Sequence, residues 1–296
     1  VIAALKRAEA GLANPDKPKA VLFFLGPSGV GKSQLAKRLA KGYRAANNQF
    51  TVFDMSEYTE RESVSRLLGA PPGYADSDRD GALVRAVRQS PESILLFDEI
   101  EKAHPSVFDI LLPVMDEGRL HDSHDKLVRF NEAILIFTSN IGAELIQTTK
   151  GAMHEERLRD QLEESFRPEF VNRVDELVIF APLRRRDLAK ILRLMIDEVR
   201  HRLKRKRIGV RMYKEAYEFL AEKGYSREYG AREMRRCVER HVMNPVAEAI
   251  LRGEFKNGDM IDVQRRAGKL ALSKGRPHIP RTDSRHRMVL PQEAAR

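Results

Sequence analysis

Eight consecutive residues, Gly26-Pro27-Ser28-Gly29-Val30-Gly31-Lys32-Ser33, fit the pattern G-x-x-x-x-G-K-[ST] at every specified position. Glycines at these places let the backbone curl so that successive N–H groups point inward, and a helix starting there adds partial positive charge. A polyphosphate suits such a cradle: Lys32 reaches its outer phosphates, and the Ser33 hydroxyl is a ligand for Mg²⁺. About 65 residues further on, the run Ile94-Leu95-Leu96-Phe97 ends in two carboxylates, Asp98 and Glu99. Asp98 would hold the Mg²⁺ with Ser33, and Glu99 would polarise a water attacking the terminal phosphate. A strand closed by acids says little alone. With the cradle upstream it argues for hydrolysis rather than mere binding.

Those residues need a scaffold that brings them to one place. Val21–Leu25 is a continuous apolar run, short enough for a strand buried on both faces, and a helical segment at Gln34–Tyr43 follows the cradle. Thr51–Met55, Ile94–Phe97 and Ala133–Thr138 behave like the first run, with helical patterns at Glu60–Leu68, Ala82–Gln89 and Ser106–Met115 between them. Strands alternating with helices predict an α/β domain, a parallel sheet covered on both sides that presents ligands at the carboxyl ends of its strands. After Pro182 the character changes: Leu188, Ile191, Leu192, Met195, Ile196 and Val199 recur at helical spacing, and further helical patterns follow at Tyr213–Lys223, Ala231–His241 and Pro245–Arg252. The expected domains are therefore 1–183, α/β, and 184–264, smaller and mostly helical. A flexible basic tail is expected at 265–296.

The 296 residues carry a formal net charge of +10, with 42% hydrophobic and 32% charged side chains, which excludes a disordered chain. The excess is uneven: residues 1–183 hold 23 basic and 28 acidic side chains, whereas 184–264 hold 21 and 13. The basic run Arg200–Arg207 has no interleaved aromatic residues to stack on bases, so nucleic acid is not the expected partner. No run approaches the ~18 apolar residues of a membrane span, and no leader is evident. A single cysteine, Cys237, excludes an internal disulfide and suits a cytoplasmic location. The chain starts at Val1 and reads as a piece of a longer polypeptide. Asp76, Asp78, Asp80 and Gly81 imitate the start of a calcium loop, but the acid expected at its twelfth position is Val87. His121 and His124 sit in a polar hairpin and suggest no metal.

Beyond the cradle, LLGAPPGY at 67–74, LLFDEIEKAHPSVFDILL at 95–112, TSNIG at 138–142, FRPEFVNRVDE at 166–176 and YGAREMRR at 229–236 appear in that order. With them the chain resembles the Clp branch of the AAA+ ATPases, specifically the second ATPase module of the two-ring unfoldases, over residues 1–264. That resemblance implies a P-loop three-layer α/β/α core with a helical lid, ATP and Mg²⁺ as ligands, and assembly as a homo-hexamer. It implies that Asn140 senses the γ-phosphate and that Arg173 is a finger reaching a neighbouring subunit's nucleotide. Arg232 would contact the same subunit's γ-phosphate, and Tyr74 would grip an extended polypeptide in a central pore. The implied substrates are unfolded or aggregated polypeptides, handled with or without co-chaperones.

Two departures from the family pattern matter. Where the family continues after its pore tyrosine with a Gly-rich stretch, this chain has Ala75-Asp76-Ser77-Asp78-Arg79-Asp80, a more acidic loop. Between Asn140 and Arg173 it lacks the tripeptide loop with which protease-coupled relatives dock a peptidase, which favours a remodelling machine over a peptidase partner. The family's adenine-contacting residues would fall before Val1. A nucleic-acid-associated ATPase and a nucleotide-binding scaffold that no longer turns over are the rival expectations.

Overall fold

Ala20–Leu25 forms the first strand, β1, and all six side chains are buried. A strand covered on both faces needs no polar alternation: Val21, Phe23 and Leu25 join one apolar cluster, and Ala20, Leu22 and Phe24 join another. The computed structural model describes the chain except residues 13, 43–49, 71–78, 149–151, 227 and 277–296, and the side chains of 147, 148 and 152–156. Helix α1 (Ile2–Glu9) precedes β1 and α2 (Lys32–Gly42) follows it. Next come β2 (Phe50–Asp54), the short α3 (Ser65–Leu68), α4 (Ala82–Gln89) and β3 (Ile94–Asp98). Helix α5 (Pro105–Glu117) starts at His104, whose ring accepts from the Ser106 N–H, and stops at left-handed Gly118. A hairpin, β4 (Arg119–His121) and β5 (Leu127–Arg129), leads into β6 (Ile134–Ser139). Helices α6 (Ala143–Thr148), α7 (Ala152–Ser165) and α8 (Pro168–Val171) then lead to β7 (Glu176–Ile179).

Strands β1, β2, β3, β6 and β7 form one parallel sheet in the order β2-β3-β6-β1-β7. Its two faces are covered as the sequence predicts. Ala4, Leu5, Ala36 and Ala40 from α1 and α2 pack on one side; Val84, Leu111 and Leu158 from α4, α5 and α7 pack on the other. Phe23, Phe97, Phe137 and Phe170 interlock on the second side, with Phe137 and Phe170 edge-on at 5.1 Å between centroids. Burying each ring contributes about 1.5–3 kcal/mol, so this face anchors the strands whose ends carry the site. Strand β7 was not anticipated from the sequence. It is a four-residue, half-exposed edge strand with no apolar run to announce it.

The chain divides into two compact units, one of Val1–Arg184 with Ser226–Arg232, the other of Arg185–Tyr225 with the chain from Glu233 onward. The second unit is mostly helical. Helix α9 (Arg185–Lys204) buries Leu188, Leu192, Met195, Ile196 and Val199, the stripe read from the sequence. It also contains β8 (Gly209–Met212), α10 (Lys214–Lys223), most of α11 (Gly230–Val238), a π turn at Glu239–Met243 and α12 (Asn244–Leu251). Strands β9 (Met260–Arg266) and β10 (Lys269–Gly275) complete a small sheet ordered β10-β9-β8. Here the tail expectation needs correcting: residues 265–275 are a paired hairpin, not a flexible end. Its turn uses Ala267 and Gly268, both at positive φ (46° and 75°), and alanine there gives no sequence signal of a hairpin. Among the described residues no helix is long and apolar enough to cross a membrane.

Candidate nucleotide site

Parallel pairing aligns the carboxyl ends of β1, β3 and β6, because Leu25 pairs with Ser139 and Phe97 with Phe137. The cradle leaves β1 at Gly26, whose N–H donates to the Ser139 carbonyl at 3.3 Å. Its φ is 148°, and a Cβ there would lie 2.6 Å from the Phe180 carbonyl oxygen. Pro27, Ser28 and Val30 fill the turn between the glycines. Gly29 (φ 74°) leaves no room either, since a Cβ would meet the Tyr229 carbonyl oxygen at 2.2 Å. Gly31 differs: at φ 105° it too excludes a side chain conformationally, yet nothing lies within 4 Å of its missing Cβ. The loop is thus fixed by backbone on one side and open on the other, as a cradle for phosphates must be.

Lys32 opens α2, and its ammonium donates to the carbonyls of Gly26 (2.5 Å) and Pro27 (3.0 Å) and to Asn140 Oδ1 (2.9 Å). Burial pushes this amine down from its ordinary 10.5 to about 8, against the pull of Glu101, Asp98 and Glu99, which favour the charge. Ser33 Oγ lies 2.9 and 3.1 Å from the two Asp98 carboxylate oxygens. A hydroxyl and a carboxylate in contact are the oxygen donors Mg²⁺ prefers, and such an ion keeps most of its waters and the phosphates as its other ligands. The donor set, the open side of Gly31 and the desolvated ammonium all fit a magnesium-bound polyphosphate.

Glu99 has left-handed backbone angles (φ 58°, ψ 53°), uncommon for a residue with a Cβ and of order 1–3 kcal/mol in cost. The surroundings hold it there. Its N–H donates at 3.0 Å to Thr138 Oγ1, which itself donates at 2.5 Å to Asp98 Oδ1. Its carboxylate pairs with Lys102 and lies 3.9 Å from Arg232 Nη2. Arg232 stands on the first turn of α11, beside the cradle, where the Ala231 N–H donates to the Gly29 carbonyl at 3.0 Å. Lys32, Ser33, Asp98, Glu99, Asn140 and Arg232 therefore meet at one end of one sheet.

Arg173 does not join them. Its guanidinium is held by Asp116 at 2.5 Å and by the Glu169 carbonyl at 2.6 Å. It precedes β7, next to Asp175, whose N–H donates to the Val21 carbonyl near the amino end of β1. The cradle leaves the opposite, carboxyl end of the same strand. Tyr74 lies outside the described residues, as do Asp76 and Asp78, while Asp80 is engaged by Arg88. Sequence reasoning did not single out Thr138 or Glu101. Thr138 had a signal, as a hydroxyl closing an otherwise apolar buried strand. Glu101 had only its place two residues after Glu99.

Two family models match the chain: "AAA domain (Cdc48 subfamily)" over residues 17–177 and "C-terminal, D2-small domain, of ClpB protein" over residues 183–263. "Chaperone protein ClpB 1" of Synechococcus elongatus is 46% identical over 265 residues, covering 88% of this chain and 30% of that protein. "Chaperone protein ClpB 2" of Nostoc sp. is 43% identical over 276 residues, 92% of this chain and 32% of the relative. "Chaperone protein ClpB" of Gloeobacter violaceus is 46% identical over 266 residues, 88% and 30% respectively. The chain spans about a third of the length of these relatives.

Proposed function

The chain belongs to the Clp-type branch of the AAA family, a nucleotide-binding family, and from that membership we propose that it is the ATP-hydrolysing motor module of a protein-remodelling chaperone. The observation that carries the reading is the meeting of Lys32, Ser33, Asp98 and Asn140 where three parallel strands end. In this reading residues 26–33 wrap the phosphates and Lys32 exchanges its carbonyl partners for the β- and γ-phosphate oxygens. Ser33 and Asp98 hold Mg²⁺, which supplies charge neutralisation across the phosphates. Glu99, released from Lys102, takes the proton of the attacking water, and Asn140 and Arg232 mark the γ-phosphate. The first compact unit, Val1–Arg184 with Ser226–Arg232, is the catalytic domain, and the second, which includes β9 and β10, is its lid.

The position of Arg173 supports assembly. A cation on the amino side of the sheet cannot serve its own cradle, and a ring of subunits would present it to the next one, where such fingers are worth about 10³–10⁵ in rate. A homo-hexamer threading unfolded or aggregated polypeptide past Tyr74 is the corresponding whole. The test is ATP turnover at high protein concentration with mass measured by light scattering. Wild type should assemble and hydrolyse with ATP, and Glu99→Gln should assemble and bind without turnover. An assembled wild type as inactive as Glu99→Gln overturns the reading.

A further inference from the structure

Asn140 is held by a neighbour with no role in the scheme above. Glu101 Oε1 accepts from the Asn140 backbone N–H at 3.0 Å and from its side-chain Nδ2 at 3.2 Å. The other end of the same amide, Oδ1, accepts from Lys32 at 2.9 Å. The chemistry of these partners permits one orientation only. An ionised carboxylate donates nothing and an ammonium accepts nothing, so the NH₂ must face Glu101 and the oxygen must face Lys32. Glu101 Oε2 is buried with no hydrogen-bond partner among the described residues, so no competing donor draws the carboxylate away from the asparagine. Glu101 itself sits on the tight turn Ile100–Lys102, which ties the end of β3 to the residue just after β6.

We propose that Glu101 is a positioning residue that fixes the backbone and amide of Asn140, and so aims the remaining Nδ2 hydrogen at the terminal phosphate. The inference deepens the ATP-hydrolysis reading and rests on it for its kinetic consequence. An amide has two Nδ2 hydrogens; with one spent on Glu101 the other is oriented rather than free to swing. Misplacing a group that touches the reacting phosphate by about 1 Å costs about 100-fold in rate.

The experiment compares Glu101→Ala and Glu101→Gln in the full chain. Glutamine keeps an oxygen to accept both Asn140 hydrogens, whereas alanine keeps none. Glu101→Ala should lower kcat about 100-fold with KM within about threefold, and Glu101→Gln should recover at least about tenfold of that loss. Equal damage in both variants, or none in Glu101→Ala, overturns the proposal. A second readout needs no nucleotide: exchange of the Asn140 backbone amide should be protected in wild type and Glu101→Gln and accelerated in Glu101→Ala. Equal protection in all three overturns the positioning role whether or not the chain hydrolyses ATP. A wild type without turnover would instead count against the proposed function and leave the exchange comparison to decide.

Discussion

A buried lysine held by three oxygen partners is the feature of this site most open to direct measurement. Lys32 titrates near its ordinary 10.5 when unfolded and at about 8 when folded, because the ammonium loses water. Between those values the unfolded chain binds more protons, so stability of the nucleotide-free chain rises with pH across that window; below 8 the burial cost is present in full. Lys32→Met removes this titration. In urea melts the stability of wild type relative to Lys32→Met should therefore improve from about pH 8 to about pH 10.5, and a constant difference would mean that the amine is not desolvated. Thr138 offers a second measurement. It donates to Asp98 and accepts from the Glu99 N–H, so Thr138→Val leaves a part-buried N–H unpaired and should cost about 1 kcal/mol. Thr138→Ser should retain most of the melting temperature, because the serine hydroxyl can make both bonds. At this scale the sequence revealed the residues with a fixed spacing signature, the cradle and the paired acids. It concealed Thr138 and Glu101, whose roles arise only when strands β3 and β6 are laid side by side.

One scale up, the cradle is clamped by a segment some two hundred residues away in the chain. The Gly29 carbonyl accepts from Ala231, the Gly29 Cα faces the Tyr229 carbonyl, and Arg232 follows immediately. Gly29→Ala would force a side chain into left-handed backbone, about 1–2 kcal/mol, and push its Cβ against the Tyr229 oxygen. The expected outcome is a lowered melting temperature together with weaker ATP binding, since the loop and Arg232 must both shift. Gly31→Ala supplies the contrast: its strain comes from the backbone alone, at φ 105°, with open space around the new Cβ, so without the steric push of Gly29→Ala the cradle's contacts to Tyr229 and Ala231 should hold. Gly29→Ala leaving the contact with Tyr229 and Ala231, read by amide exchange at Ala231, as protected as in wild type would contradict the clamp. The elements themselves were largely legible in the sequence, because β1, β3 and β6 are apolar runs too short for helices and the covering helices carry the 3.6-residue stripe. What escaped had no such pattern: β7 is short and half-exposed, β10 follows an Ala-Gly turn, and the clamp joins residues that no local periodicity relates.

For the whole molecule, the decisive question is whether one chain's site is finished by another. Arg173 is fastened to Asp116 and Glu169 on the amino side of the sheet, away from the cradle of its own chain. The proposed finger role would therefore need a neighbouring subunit, and a single variant cannot separate a finger acting across subunits from a structural ion pair. Mixing two inactive variants can. Under the proposed function, Arg173→Ala would keep an intact cradle and Glu99 but lack the finger, and Glu99→Gln would keep the finger but lack the base. Each alone should bind ATP and turn over at least about 10³-fold more slowly than wild type. In randomly mixed rings at equal amounts, about a quarter of the junctions place a Glu99-bearing site beside an Arg173-bearing neighbour, so turnover should return towards a quarter of the wild-type rate. Recovery on mixing, scaling with the product of the two fractions, requires action across a junction. An ion pair that merely steadies the fold predicts mixtures as inactive as their components, together with a lower melting temperature for Arg173→Ala.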